Sequence, residues 1–205
     1  MLARDPARAA DGLGATIQLV AGDITKAETL PVAIESATHI VFTAGCRSGR
    51  PVGEAKIKAT EYHGVINTLA AARRAGFSGR FLYMTASGAP SFWTFSLNLY
   101  KGNTLVWRRR AEDEIRSSGL EYTIIRAGLL LNRPGGRHAL VVSQAALPLS
   151  PRYRIARADV AETLVAALDH PRAARTTFEV IWGHGTRQAD WNELLGGLRP
   201  DAPVS

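Results

Sequence analysis

Leu105–Gly128, LVWRRRAEDEIRSSGLEYTIIRAG, decides how the rest of the chain is read. Arg, Ala, Glu and Leu are strong helix formers, and Leu105, Ala111 and Ile115 recur at near-helical spacing, so the first half reads as a helix. Gly119 is its stop, because a residue without Cβ takes positive φ and lets the chain satisfy the last helical carbonyls as it turns. Tyr122 to Ile125 is β-branched and aromatic with no polar alternation, the pattern of a strand covered on both faces. A helix feeding a buried strand is half of a βαβ unit. The basic run Arg108 to Arg110 is followed by Glu112, Asp113 and Glu114, and these pairs read as a solvated helix face.

Upstream, Asp5 to Ala10 reads as a short helix opened by Pro6, Thr16 to Val20 as a strand, Lys26 to Glu35 as a helix and His39 to Phe42 as a strand. A polar, Gly-rich loop from Cys46 to Gly53 leads to a long helix from Glu54 to Ala75, with Ile57, Val65, Leu69 and Ala72 turned to the core, and then to a strand at Phe81 to Met84. Gly88 to Asn103 reads as an irregular aromatic loop, over a site mouth or over the sheet edge, and Asn132 to Ser150 as loop-rich, part of a small substrate-side lobe. Arg154 to Ala156 is a short strand, Asp159 to Asp169 a helix capped by that aspartate, Thr176 to Ile181 a last strand, and Trp191 to Leu198 a further helix. Alternating strands and helices imply an α/β, Rossmann-like, doubly wound parallel sheet. The expected division is one domain over 1–183, with substrate-side loops near 88–103 and 132–153, and a tail over 184–205.

In such sheets ligands sit beyond the carboxyl ends of the strands. Four strand ends here carry small or polar residues, Gly22-Asp23, Thr43-Ala44-Gly45, Thr85-Ala86-Ser87 and Ala127-Gly128, which let a flat ligand approach the backbone. The alternative is that Gly and Ala are simply common at tight turns.

A chain of 205 residues is enough for one domain, and 46% hydrophobic with 21% charged residues is a globular composition. The net charge of +7 permits polyanion binding, but the arginines are spread along the chain, so no nucleic-acid partner is expected. Cys46 alone excludes an internal disulfide and a cysteine-rich metal site, and the five histidines form no metal-ligand spacing, so no metal is expected. No apolar run approaches the roughly 18 residues that span a bilayer, so no membrane partner is expected and the cytoplasm is the expected compartment. A monomer or homodimer acting on a small molecule fits the size.

The order VAGDIT, VFTAG, FLYMTAS, SGLEYTIIRAG and RIARADVAETLVAALDHP resembles the atypical short-chain dehydrogenase/reductases with an NAD(P)H-binding, NmrA-like fold, from Met1 to about Gly183. Members of that family open with a strand, a GxxGxxG turn and a helix. No such turn stands in the matching place, and Gly12, Gly14, Gly45, Gly49, Gly53 and Gly183-His184-Gly185 do not supply one. The expectation is therefore a sheet truncated at its N-terminus or a degenerate member, lacking the first βα unit and most of the second strand and leaving the strand at Thr16 without neighbours.

The resemblance implies roles by position. Arg4 would meet the 2′-phosphate of NADP, the expected cofactor with NAD as the alternative; a solvated terminal arginine is the plainer reading. Asp23 and Ile24 would contact adenine, unless Asp23 is a helix N-cap. Thr43, Ala44 and Gly45 would wall the ribose and pyrophosphate, Thr85, Ala86 and Ser87 would lie beneath the nicotinamide, and Ala127 and Gly128 would flank it. Arg108 occupies the place where the family often has a lysine. Ser87 and Tyr100 are the candidate catalytic pair, but the fourth residue after Tyr100 is Thr104, and Lys101 is expected to point elsewhere on a helix. The implied activity is hydride transfer to a small carbonyl, quinone or flavin-like acceptor. The alternatives are a non-catalytic NAD(P)-sensing scaffold, which the missing Tyr-x-x-x-Lys motif favours, and an inactive fragment.

Overall fold

The computed structural model describes residues 1–13, 16–46, 53–187 and 190–203, so Gly14, Gly49 and most of the Gly-rich loop after Cys46 lie outside the described residues. In chain order the elements are β1 (Leu2–Ala3), α1 (Pro6–Leu13), β2 (Val20–Ala21), α2 (Pro31–Ile34), β3 (His39–Phe42), α3 (Glu54–Lys58), α4 (Gly64–Arg74) and β4 (Arg80–Ala86). There follow α5 (Phe92–Tyr100), α6 (Thr104–Ser117), β5 (Glu121–Ala127), β6 (Leu129–Leu131), β7 (Leu140–Ser143), β8 (Arg154–Ala156), α7 (Arg157–Ala167), β9 (Thr176–Trp182) and α8 (Trp191–Leu195).

The central sheet has the order β3-β4-β5-β9-β7, parallel except for β7, which runs antiparallel to β9 at the edge. β5 sits at its centre and is buried as its composition demands. Ile124 packs with Phe42, Val65, Leu69, Ala111 and Ile115 on one face, while Ile125 packs with Leu140, Val160, Leu164 and Phe178 on the other. Successive side chains of a strand point to opposite faces, so this division makes the sheet doubly covered, by α4 and α6 on one side and α7 on the other. Gly119 has φ +79, the left-handed turn expected between α6 and β5.

Several boundaries differ from the sequence reading. The strand at Thr16 shrinks to Val20–Ala21, and it is not without neighbours: Leu2 and Ala3 pair with Val20 and Ala21 in parallel, in a two-stranded sheet of their own. Lys26 to Glu35 is a 3-10 turn followed by the single α-turn of α2, because Pro31 interrupts one and starts the other. The aromatic segment 88–103 is not irregular. It contains α5, with Ser91 as its N-cap accepting the Thr94 amide at 3.1 Å. The loop-rich 132–150 segment contributes β7 to the main sheet rather than only a substrate-side lobe. Asp159 does not cap α7, whose N-cap is Ala156. It is buried in the first turn, where it accepts the Gly136 amide and the Trp182 indole N–H, both at 2.7 Å.

The Arg108–Glu114 face is the largest correction. It is not solvated. Glu112 is fully buried and its carboxylate meets Arg109 of its own helix, Arg116 at 3.2 Å one turn on, and Arg126 of β5 at 2.6 Å. Arg116 also reaches Asp201 at 3.4 Å, and Asp201 accepts Tyr122 Oη at 3.0 Å and Thr177 Oγ1 at 2.6 Å, so the C-terminal segment is tied to β5 and β9 through the same network. Burial, with the Asp201 carboxylate beside it, pushes the Tyr122 hydroxyl up to about 12.

Removing one member of a buried ion cluster leaves uncompensated charge, at a cost of about 3–5 kcal/mol. Glu112→Gln is therefore expected to lower the urea-unfolding free energy by about 3 kcal/mol, whereas a solvated pair would cost under about 1 kcal/mol.

Candidate active site

The carboxyl ends of the strands open onto one trough. At its first end, Leu2, Arg4, Gly22, Asp23 and Ile24 from the two-stranded sheet face Ala44 and Gly45 across a cavity of about 490 Å3. Gly22 is required there. A Cβ would stand 2.5 Å from Leu2 Cδ1 and 2.9 Å from the Thr29 carbonyl, so the turn after β2 closes only with a bare backbone. Asp23 is held by a local turn, its Oδ1 accepting the Thr25 amide at 2.9 Å and Thr25 Oγ1 at 2.8 Å. It therefore caps no helix. The Thr25 amide, aided by the Thr25 hydroxyl, Arg4 and Lys26, holds the Asp23 carboxyl below the usual range. The Ile24 side chain packs on Gly64 and its carbonyl accepts Asn67 Nδ2 at 2.9 Å.

Gly45 and Cys46 carry the trough into its middle. Glu61 organises this part. It lies in a π-helical turn, Ala59–His63, which joins α3 to α4 and sets the carboxylate inward, 2% exposed. There it forks onto Arg108, with Nε–Oε2 at 2.9 Å and Nη2–Oε1 at 3.1 Å, and it also accepts the Cys46 amide at 3.1 Å and the Thr104 hydroxyl. One buried carboxylate thus fixes the loop after β3 to the start of α6. A Cβ on Gly45 would meet Arg108 Nη2 at 2.7 Å, so the arginine closes the wall behind that glycine.

Beyond Arg108 an inner chamber is floored by Met84, Thr85, Ala86, Ala127 and Gly128. It opens into a wider cavity, about 1100 Å3, which includes Thr43. Of the residues expected to hold a cofactor, Arg4, Asp23, Ile24, Ala44 and Gly45 share the first end, while Arg108, Thr85, Ala86, Ala127 and Gly128 share the inner chamber.

Ser87 and Tyr100 are placed differently. Ser87 is fully buried, donates its hydroxyl to Glu179 Oε2, and through its amide holds the Ala127 carbonyl at 2.9 Å. Tyr100 is the half-exposed last residue of α5. Because α5 ends there, Lys101 leaves the helix (φ −117, ψ 41) and lines both the inner chamber and the wide cavity. Sequence spacing missed Lys101 by extending a helix through it. It also missed Glu61, although Ile57, Glu61, Val65 and Leu69 recur every fourth residue and put an acid on the core face, which signals a buried cationic partner.

A family model described as NAD(P)H-binding matches residues 1–171. The chain belongs to this NAD(P)H-binding family. It is 33% identical over 158 residues to a protein of Bacillus subtilis (strain 168) described as an uncharacterized sugar epimerase, YhfK, covering 76% of this chain and 68% of that one. It is 42% identical over 88 residues to sanguinarine reductase of Eschscholzia californica, covering 42% of this chain and 32% of the reductase, so the match spans about a third of that relative. Among solved structures, a putative NAD-dependent epimerase/dehydratase from Bacillus halodurans superposes with a TM-score of 0.73 at 27% identity, over 90% of this chain and 82% of that one. The Rossmann-like, mostly parallel sheet of this NAD(P)H-binding chain is thus shared with its relatives.

Glu179 beneath the chamber gives a pH test. Burial raises its carboxyl above the ordinary 4.5, against the opposing Ser87 hydrogen bond and the Arg126 and Arg109 charges. The folded state binds this proton more tightly than the unfolded chain, so the stabilisation is complete below 4.5 and is lost as pH rises through the raised value. Glu179→Gln, neutral throughout, should therefore gain stability relative to the native protein as pH goes from 4 to about 8 in urea titrations. A difference constant across that range would mean that Glu179 titrates alike in both states.

Proposed function

We propose that the chain is an NAD(P)H-dependent oxidoreductase of the atypical short-chain type, passing hydride to a small carbonyl, quinone or flavin-like acceptor. The continuous trough along the strand ends supports this most directly, because ligands of open α/β sheets sit in that crevice. The activity of one relative, sanguinarine reductase, agrees with it. Arg4 would take a 2′-phosphate, Asp23 and Ile24 the adenine, and Thr43, Ala44 and Gly45 the ribose and pyrophosphate. The bare strand ends at Ala86, Ala127 and Gly128 fit a flat nicotinamide ring. When bound, that ring supplies the hydride.

On this reading Ser87 acts by position. Its bonds to Glu179 and Ala127 hold the ends of β4 and β5 together beneath the ring. Tyr100 is the candidate proton donor, beside a lysine that lines the chamber. The burial of Ser87 favours a second reading, a non-catalytic NAD(P) sensor, since a fully covered hydroxyl cannot orient an acceptor carbonyl. Turnover separates the two.

NADPH titrated against tryptophan fluorescence is expected to bind more tightly than NADH. Arg4→Ala should weaken NADPH about tenfold, the value of one charged hydrogen bond, and leave NADH unchanged. Oxidation of NADPH with menadione should fall about 100-fold in Tyr100→Phe without loss of NADPH affinity. Failure to bind either nucleotide would end the proposal, and binding without turnover would favour the sensor.

A further inference from the structure

The wide cavity shares Lys101 and Leu130 with the inner chamber and is completed by residues of α7. Leu130, Val160, Ala161 and Leu164 give it an apolar side, while Asn132, Lys101 and Arg157 give it polar heads. Its three cations are not equivalent. Arg108 is neutralised by Glu61 at 2.9 Å. Lys101 and Arg157, by contrast, make no ion pair among the described residues.

The acids on the same helix as Arg157 are already engaged. Asp159 accepts from Gly136 and Trp182, and Glu162 pairs with Arg187 at 2.7 Å. The wide cavity therefore presents net positive charge beside an apolar wall. Arg157 is exposed as the first residue of α7, and Lys101 is half-buried at the turn after α5, so the two heads come from different elements. Unpartnered cations at the rim of a cleft attract and hold anions, and a guanidinium forks onto a carboxylate. An apolar surface alongside selects a ligand whose body is itself apolar.

We infer that the wide cavity is a binding site for an anionic acceptor with a flat apolar body. Its carboxylate lies between Arg157 and Lys101, and its body rests on Leu130, Val160 and Leu164. Calling this ligand the acceptor rests on the reductase reading; the binding chemistry does not.

The test uses a matched, unreactive pair, 2-naphthoate and its neutral amide 2-naphthamide, titrated calorimetrically into the full chain without cofactor. Naphthoate is expected to bind at least about tenfold more tightly, as one to two charged hydrogen bonds allow. The double variant Arg157→Gln/Lys101→Gln should abolish that preference while binding naphthamide as the native protein does, which also shows that it is folded. Arg157→Lys, keeping the charge but not the fork, should retain part of the preference. Equal binding of the two probes by the native protein, or a preference that survives the double variant, overturns the inference. So does a double variant that weakens NADPH as much as naphthoate, because the cations would then serve the cofactor. If menadione is not reduced, the reductase reading falls while the naphthoate preference still reports on this site.

Discussion

The rest of the structure depends on the buried carboxylate of Glu112. An isolated charge in the interior is costly enough that the group is neutralised or paired, and here three guanidiniums do the pairing. Because Arg126 comes from β5 and Arg109 and Arg116 from α6, the pairing fixes the roll of the helix against the strand. Once the roll is fixed, the neighbouring side chains have little choice. Arg109 extends its other nitrogen to the Ala86 carbonyl at 2.9 Å, closing the end of β4. Arg108, on the adjoining face of the helix, meets Glu61 and closes the end of β3. A charge cluster that belongs to folding thus builds the inner wall of the trough.

Glu61 repeats this design one layer out. A regular α-helix from Glu54 to Arg74 would carry its inward stripe past the loop after β3. The π-turn widens the helix by one residue where the carboxylate must reach Arg108, Thr104 and the Cys46 amide together. The polar groups at the centre of the trough are held by bonds that owe nothing to a ligand. Such rigidity lets a shallow crevice bind without first paying the entropy of ordering its own walls.

The sequence made the interior legible and left the polar surface ambiguous, for a physical reason. Ile124 and Ile125, Val65 and Leu69, and Ala111 and Ile115 have one low-energy place each, so periodicity located β5, α4 and α6 closely. The charged run from Arg108 to Glu114 has two. Its local spacing satisfies a solvated face as well as a buried cluster, and only the approach of Arg126 and Glu61, distant in the chain, decides between them. Asp159 misled in the same way, since an aspartate ahead of a helix is usually a cap, and the competing donors Gly136 and Trp182 lie outside any local window. Most strand-end residues line the trough, because the rule that places them there is topological and needs no partner.

The segment from Tyr100 to Thr104 shows why a motif can fail by spacing and still deliver a lysine to the chamber. A tyrosine and a lysine four apart meet only if both ride one unbroken helix. Here α5 stops at Tyr100, and the chain reverses through Gly102 at φ +50 and Asn103 at φ 59 before α6 begins. Left-handed backbone at two successive residues is tolerated by glycine and asparagine better than by other residues, and Asn103 is anchored by its bond to Glu54 at 3.1 Å. With the helix broken, the fourth residue, Thr104, turns inward to Glu61, and the next residue, Lys101, is the one delivered to the chamber. What matters to a ligand is where the cation arrives, and in this chain the turn, not the helical repeat, decides it.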